Sequence, residues 1–513
     1  MAELKSTEKR HLTPDTFVAS VAILLVANLI QRSIGFGRSL LFCRWLPEAE
    51  LGKWELAYSF LLLAAPVIVL GLPGSFGRYL ERYRQRGQLR TFLRRATMWS
   101  AIFTLAGCAV IIVEAPRFSK VIFDDWNHSA LVIVLSVNLA AVVLHHYLEA
   151  LFSAFRKFSI VSTMHFCQSI SFAIISLVLL CVWRTAAESI IIGYGTACLI
   201  SVLAIGAWKV RAVLAEAPPD SGIPYGELLP YVRFAFWVWL INLFCHLFGV
   251  VDKFMFLHYS GLNNDESLKL LGDYHASRVI PILFLSVADL LGGAVMPYLS
   301  HDWELGLRQK VSDMVNSVLK VAAVVMLTAG AAVLWVAPLL FHYVFQGRLD
   351  RGLIVMPWTM TYCVWYSLFL VAQNYAWCAE KAKLAMLPLI AGLLVNVAID
   401  LFLIPTWGLL GAVVGTTVAT GIATAMLYWI NRSAGMELQS GTLLLSLAPL
   451  ALCSGALGGT MIVLLIAISL PFSKTLVTSH ERAEIHALIG QLLKIWNGYW
   501  SRSIEPQETA HAV

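Results

Sequence analysis

The chain has 513 residues, of which 59% are hydrophobic and 13% charged, with a net charge of +6. Soluble domains carry about 25% charged residues, and the mean hydropathy here is +0.74. These values argue against a soluble enzyme or a nucleic-acid-binding module and for a polytopic membrane protein, in which each apolar run of about 20 residues spans the bilayer as a helix.

Residues 1–16 are polar, and the apolar run that follows is too long for a signal-peptide core and lacks a small-residue cleavage site. It reads as an uncleaved first span over 17–42. Further spans are predicted over 55–72, 96–113, 128–150, 159–182, 188–208, 232–257, 271–297, 313–341, 353–378, 384–404, 409–430 and 442–470. That makes thirteen, give or take one. The last carries Gly455, Gly458 and Gly459 and reads as one long span or a broken one. The nine cysteines lie mostly inside apolar runs without CxxC or Cys/His ligand spacing, so they read as small core hydrophobes rather than disulfides or metal ligands.

Lys and Arg set the orientation. With the N-terminus inside, the predicted inner segments hold 20 of them and the outer loops 8, which places the N-terminus in the cytoplasm. Trp45, Trp54, Trp126, Trp183, Trp303 and Trp407 fall at predicted span ends, as an aromatic belt requires. The stretch RYLERYRQRGQLRTFLRR, 78–95, reads as a positive-inside anchor against the anionic inner leaflet, the alternative being a dock for an anionic headgroup. The tail at 480–500 has apolar residues at helical spacing (Ile485, Leu488, Ile489, Leu492, Trp496) and reads as an interfacial helix.

The loops leave no room for a soluble catalytic domain, and no phosphate-binding P-loop is present. HHYLE, 145–149, sets His145 and Glu149 one turn apart but matches neither HExxH nor HxxEH, so no metal site is expected. The informative residues are charges within spans, which are costly in hydrocarbon and face a bundle interior or a wet cavity. They are Arg32, Arg38 and Glu55 in the first half and Asp252, Lys253, Asp273, Arg278, Asp289, Lys320 and Asp400 in the second. Arg32, Arg38, Lys253 and Arg278 are candidates for a basic cavity that binds phosphate oxygens, although Lys253 and Lys320, near span ends, could equally snorkel. Asp252 and Lys253 are neighbours that cannot share a helix face, so they are not expected to form a simple ion pair. One is expected to face the lobe interface or the cavity and the other the membrane boundary, the alternative for Asp252 being to hold Arg278 or to lock the outward gate.

Three stretches carry a family resemblance. GLLVNVAIDLFLIPTWGLLGAVVGTTVATG, 392–421, resembles the N...N..LIP..G..GAA..T signature of Wzx-type polysaccharide flippases through Asn396, Ile404, Pro405, Gly408, Gly411, Ala412 and Thr416. The block over 35–80 is similar to that family's opening through Arg44, Pro47, Gly52, Leu70, Gly71, Leu72 and Arg78, and FGVVDKFMF with LGDYHASRVIPILFLSVADLLGGAVMPYLS to a later block through Asp252, Lys253, Gly272, Tyr274, Ala276, Pro297 and Ser300. The chain departs from the family in a longer stretch between Asp252 and Gly272, and in Asp400 where Asn is usual.

The resemblance implies an all-α fold of the multidrug/oligosaccharidyl-lipid/polysaccharide exporter superfamily: two pseudo-symmetric six-helix lobes plus one or two C-terminal helices. The expected divisions are an N-terminal tail (1–16), an N-lobe (17–208), a cytoplasmic linker (209–231), a C-lobe (232–430), an extra span (442–470) and an amphipathic tail (471–513). It implies a non-enzymatic flippase of the inner membrane that moves an undecaprenyl-pyrophosphate-linked oligosaccharide outward by alternating access. Its partners would be that lipid-linked glycan, membrane lipids and other polysaccharide-assembly proteins. No cofactor is expected, and H+ or Na+ would couple transport through Asp289, Asp252 or Asp400. The readings kept beside it are a multidrug or cation antiporter, a lipid II flippase, and an integral-membrane glycan polymerase or ligase.

Overall fold

The computed structural model describes residues 14–155, 157–206, 229–469 and 473. Residues 1–13, most of the expected 209–231 linker and the expected interfacial helix at 480–500 lie outside the described residues. Among the described residues every regular element is helical, as hydrocarbon demands, because only a helix satisfies its backbone N–H and C=O groups within one segment. The helices of eight residues or more are α1 (Pro14–Trp45), α2 (Glu48–Ile68), α3 (Phe76–Gln85), α4 (Leu89–Val113), α5 (Ala115–Phe123), α6 (Ser129–Ala154), α7 (Phe158–Val182), α8 (Ala187–Ser201), α9 (Leu229–Tyr259), α10 (Asn264–Arg278), α11 (Ile282–Glu304), α12 (Arg308–Leu339), α13 (Arg351–Cys378), α14 (Leu387–Trp407), α15 (Leu409–Ser433), α16 (Ser440–Leu447) and α17 (Gly455–Ser469).

Twelve helical segments from Glu48 onward are long and apolar enough to cross a membrane, and α1, 32 residues long, stands before them. Two of the expected spans change on folding. The run 271–297 is divided: α10 stops at Arg278 and α11 starts at Ile282, at Pro281, which has no N–H to give and disfavours helical backbone in the residue before it. The run 442–470, left open between one span and a broken one, is broken: α16 gives way to a 3-10 segment over Ala448–Ser454, and α17 restarts at Gly455, whose φ of +88° suits glycine.

The Arg-rich stretch forms its own amphipathic element. α3 buries Tyr79, Leu80 and Tyr83 while Arg82 and Arg84, and Arg86 just past its end, stay exposed. The Tyr83 ring stacks on Phe92 at 4.6 Å, and Phe92 meets Tyr231 edge-on at 5.0 Å. Aromatic packing therefore holds the helix while Arg82 and Arg84 face outward.

Contacts divide the chain into two units. The first comprises Met1–Leu283, Val336–Thr359 and Met386–Ala423, and the second Phe284–Trp335, Met360–Ala385 and Thr424–Val513. Within the second, Asn316 donates to the Glu437 carbonyl and accepts from the Gln439 N–H and the Thr442 hydroxyl, which seats α12 beneath the start of α16. Lys320 donates to the Gln439 side chain.

Within the first unit, α8 lies on α6 and α7 with glycines at its close approaches: a Cβ at Gly193 would sit 3.0 Å from the Ser176 backbone. α10 and α2 approach backbone to backbone. A Cβ on Gly52 would lie 1.9 Å from the Leu268 carbonyl oxygen, and one on Gly272 would lie 2.1 Å from that of Glu48. Two glycines facing opposite backbones let the helices touch without side chains between them, the usual device of helix pairs in lipid. Gly52→Val or Gly272→Val must therefore push α10 off α2. Each is expected to destabilise the protein by about 2 kcal/mol or more, read as a drop in the thermal unfolding midpoint of the detergent-purified protein, whereas Gly77→Ala, with open space around its Cβ, is expected to leave it unmoved.

Candidate functional site

The close approach of α10 to α2 brings buried charges together. Glu55, on α2, is 5% exposed. Its Oε1 receives Lys253 Nζ of α9 at 2.6 Å and Arg278 Nη1 of α10 at 2.8 Å, and its Oε2 meets His275 Nδ1 at 2.5 Å. Lys253 Nζ also donates to Ser59 Oγ at 2.9 Å. The spacing explains the set: Glu55 and Ser59 are four residues apart on α2, and His275 and Arg278 three apart on α10, so each pair shares a face. Two fixed cations and an imidazole thus surround one carboxylate, and the Asp252 carboxylate also acts on Lys253. The Arg278 guanidinium also lies 5.2 Å over the Tyr274 ring, a favourable placement for a desolvated cation.

Asp252 and Lys253 are both buried, and they part company. The Asp252 Oδ2 accepts from the Tyr274 hydroxyl at 2.9 Å and from Thr416 Oγ1 of α15 at 3.4 Å. Neither residue faces a membrane boundary, as the sequence had suggested for one of them. Next to Asp252, α14 carries Asn396 and Asp400 one turn apart, each fully buried. The Asp252 carboxylate is close enough to act electrostatically on Asp400. Gly415 of α15 lies against both: a Cβ there would be 2.1 Å from Asp400 Oδ1 and 3.3 Å from Asn396 Oδ1. Among the described residues neither side chain has a hydrogen-bond partner for any of its polar atoms. Orphaned buried polar atoms carry a cost of about 1–3 kcal/mol each, so a cluster of them is a place where a small cation or a proton fits.

The other motif residues shape this corner. Gly408 ends α14 with φ +58° and donates to the Ile404 carbonyl, one residue before Pro405. A Cβ on Gly411 would strike the Leu403 carbonyl at 2.4 Å. Gly408 and Gly411 thus let α15 fold back along α14, which sets Gly415 opposite Asn396 and Asp400.

Of the four cationic candidates, Lys253 and Arg278 meet at Glu55. Arg38 stands close by on α1, its guanidinium 4.0 Å over the Phe172 ring, and the Tyr58 hydroxyl is within electrostatic reach of Arg38, Glu55 and Arg278 alike. Arg32 is on the exposed side of α1, and Asp289 on the exposed side of α11. Sequence reasoning named Glu55 only as a charge near a span start and did not single out His275. The i, i+3 spacing of His275 and Arg278 was the available signal for the second.

The family described as "Polysaccharide biosynthesis protein" matches residues 17–303. No sequence among the curated proteins matches the chain. Among solved structures, "Lipid II flippase MurJ, inward closed conformation" is similar with a TM-score of 0.68 at 13% identity, covering 88% of this chain and 99% of that one. An inward-facing multidrug resistance MATE family transporter of the MOP superfamily gives 0.62 at 12% identity, covering 81% and 98%. The eukaryotic MATE transporter AtDTX14 gives 0.57 at 14%, covering 80% and 96%. At such identities the likeness concerns the fold, which is that of these transporters.

Removing the shared carboxylate leaves buried cations uncompensated. Glu55→Ala is expected to cost about 3–5 kcal/mol, and Lys253→Met in the same chain to restore part of it. Thermal unfolding of the two variants checks this, and equal midpoints for wild type and Glu55→Ala would show that the pairing carries no stability.

Proposed function

The chain belongs to the polysaccharide biosynthesis protein family, and from that premise we propose that it is a flippase for an undecaprenyl-pyrophosphate-linked oligosaccharide, moving it from the cytoplasmic to the outer leaflet. It is a multi-pass membrane protein. Its seat is the inner membrane with the N-terminus cytoplasmic, a reading supported by the Lys and Arg asymmetry of its loops. The observation that carries the cargo is the cationic cluster: Lys253, His275 and Arg278 around the single Glu55, with Arg38 nearby. Guanidinium and ammonium groups bind phosphate oxygens by charge-assisted hydrogen bonds. The neighbour named as a lipid II flippase makes lipid II the second reading, since the same cluster suits it.

The cycle follows from competition. In the absence of cargo Glu55 ties α2 to α9 and α10. Phosphate oxygens that replace it on Lys253 and Arg278 untie α2, so cargo binding and helix movement draw on the same ionic bonds. Alternating access requires such differential affinity, because a ligand that binds both states equally shifts neither. The polyprenyl tail remains in lipid, and no covalent step is needed.

Coupling is assigned to the Asp252, Asn396, Asp400 and Thr416 oxygens, which receive H+ or Na+. Intramembrane carboxylates are the usual carriers of such coupling. Asp252 and Lys253 are consecutive on α9, about 100° apart around the helix, so a turn of α9 that moves one centre moves the other. Asp289, outside this group, serves as the comparison.

Two outcomes are expected in a strain lacking its own flippase, at matched membrane abundance. Arg278→Ala and Arg38→Ala each lower surface glycan about tenfold or more, the equivalent of losing one charge-assisted hydrogen bond. Full activity in both discards the cationic site, and failure of the wild type to restore glycan discards the cargo. In vesicles of purified protein, Asp400→Asn is expected to abolish the response of transport to an imposed Na+ or H+ gradient while Asp289→Asn keeps it. The reverse pattern moves the coupling site to α11.

A further inference from the structure

HHYLE on α6 lacks the spacing of a metalloprotease motif, but folding supplies what the segment alone lacks. α7 runs beside α6 and presents His165, whose Nε2 is 3.1 Å from Glu149 Oε1. His146 Nδ1 is 2.9 Å from the other oxygen, Glu149 Oε2. The His145 ring lies 5.6 Å from that of His165, and one ligand atom from each of His145, Glu149 and His165 falls within 4.8 Å of the others. Ligand atoms around a tetrahedral zinc ion stand about 3.4 Å apart, given bonds of about 2.0–2.2 Å. Small side-chain rotations close the difference.

The polar partner of His145 prepares it for this role. Ser201 Oγ of α8 donates to the Cys198 carbonyl at 2.8 Å, so its lone pair receives the Nδ1–H of His145 at 2.7 Å. The network assigns the proton to Nδ1 and leaves Nε2 with its lone pair, the arrangement by which outer partners fix a metal-binding imidazole. The cluster is reachable. The side chains of Glu149 and His165 are each 31% exposed, and His146 also lines a cavity of about 250 Å3 with Asn242 and His246 of α9.

We propose that His145, Glu149 and His165 form a binding site for a first-row transition-metal dication, Zn2+ fitting best, which pins α6 to α7. Two imidazoles and one carboxylate are the donor set of three-ligand zinc sites, and imidazole with carboxylate suits neither the soft Cu+ nor the all-oxygen Mg2+ and Ca2+. The alternative is a plain hydrogen-bonded network in which Glu149 is shared by His146 and His165.

The test uses the full-length protein in detergent, purified without a histidine tag and stripped with a chelator, then titrated with Zn2+ against a chromophoric competitor and separately with Co2+. The expected result is one equivalent bound, with Co2+ absorption bands typical of a four-coordinate nitrogen and oxygen site. His165→Gln and Glu149→Gln are expected to weaken Zn2+ by about a hundredfold or more and Ser201→Ala by about 10–100-fold, while His258→Ala leaves it unchanged. Wild-type protein that takes up no stoichiometric metal overturns the proposal, as does uptake that persists in both His165→Gln and Glu149→Gln. Because the first criterion is read on the native chain, misfolding of a variant cannot stand in for it.

Discussion

A carboxylate buried among helices has to be neutralised or paired, and Glu55 is paired three times. Lys253, His275 and Arg278 reach it from α9 and α10. In a medium of low dielectric an unpaired charge costs several kcal/mol, and removing one partner of a pair exposes that cost for the other. The positions of α2, α9 and α10 are consequently tied to one another by a requirement stronger than apolar packing, which in lipid discriminates poorly between helix partners.

Such charge pairing needs close backbones, and the glycines provide them. Gly52 and Gly272 let α10 lie directly on α2, so that the short His275 side chain reaches a carboxylate on the neighbouring helix. Gly415 of α15 leaves room for the Asp400 and Asn396 side chains of α14, and Asp400 lies within electrostatic reach of Asp252. Two polar centres of opposite character result, one rich in cations and one rich in oxygen acceptors. Asp252 and Lys253 join them, because consecutive residues of one helix diverge and each enters a different centre.

This explains why an apolar span carries Asp and Lys side by side. As an ion pair they would have served stability alone. Directed to separate centres they place one helix in contact with both, and under the proposed function that one helix would answer to two ligands, the minimum a coupled transporter requires. Stability and function draw here on the same bonds: the contacts that hold α2 against α9 and α10 are the ones an anionic cargo would contest.

The spans, their approximate ends and the class of protein were legible in the sequence, because hydropathy and helix length are local properties and a bilayer admits few other solutions. The division at Pro281 was legible too in principle, since proline acts on its immediate neighbours, but the apolar run on both sides concealed it. The family signature singled out Asn396, Pro405, Gly408 and Gly411, yet without saying that the two glycines let α15 turn back so that Gly415 meets Asn396 and Asp400. What the sequence could not contain was the choice of partners. Glu55 lies 198 residues from Lys253 and 223 from Arg278, and His165 comes to Glu149 from another helix. A one-dimensional pattern records which residues share a helix face, and only the packing of helices at glycine contacts decides which faces meet.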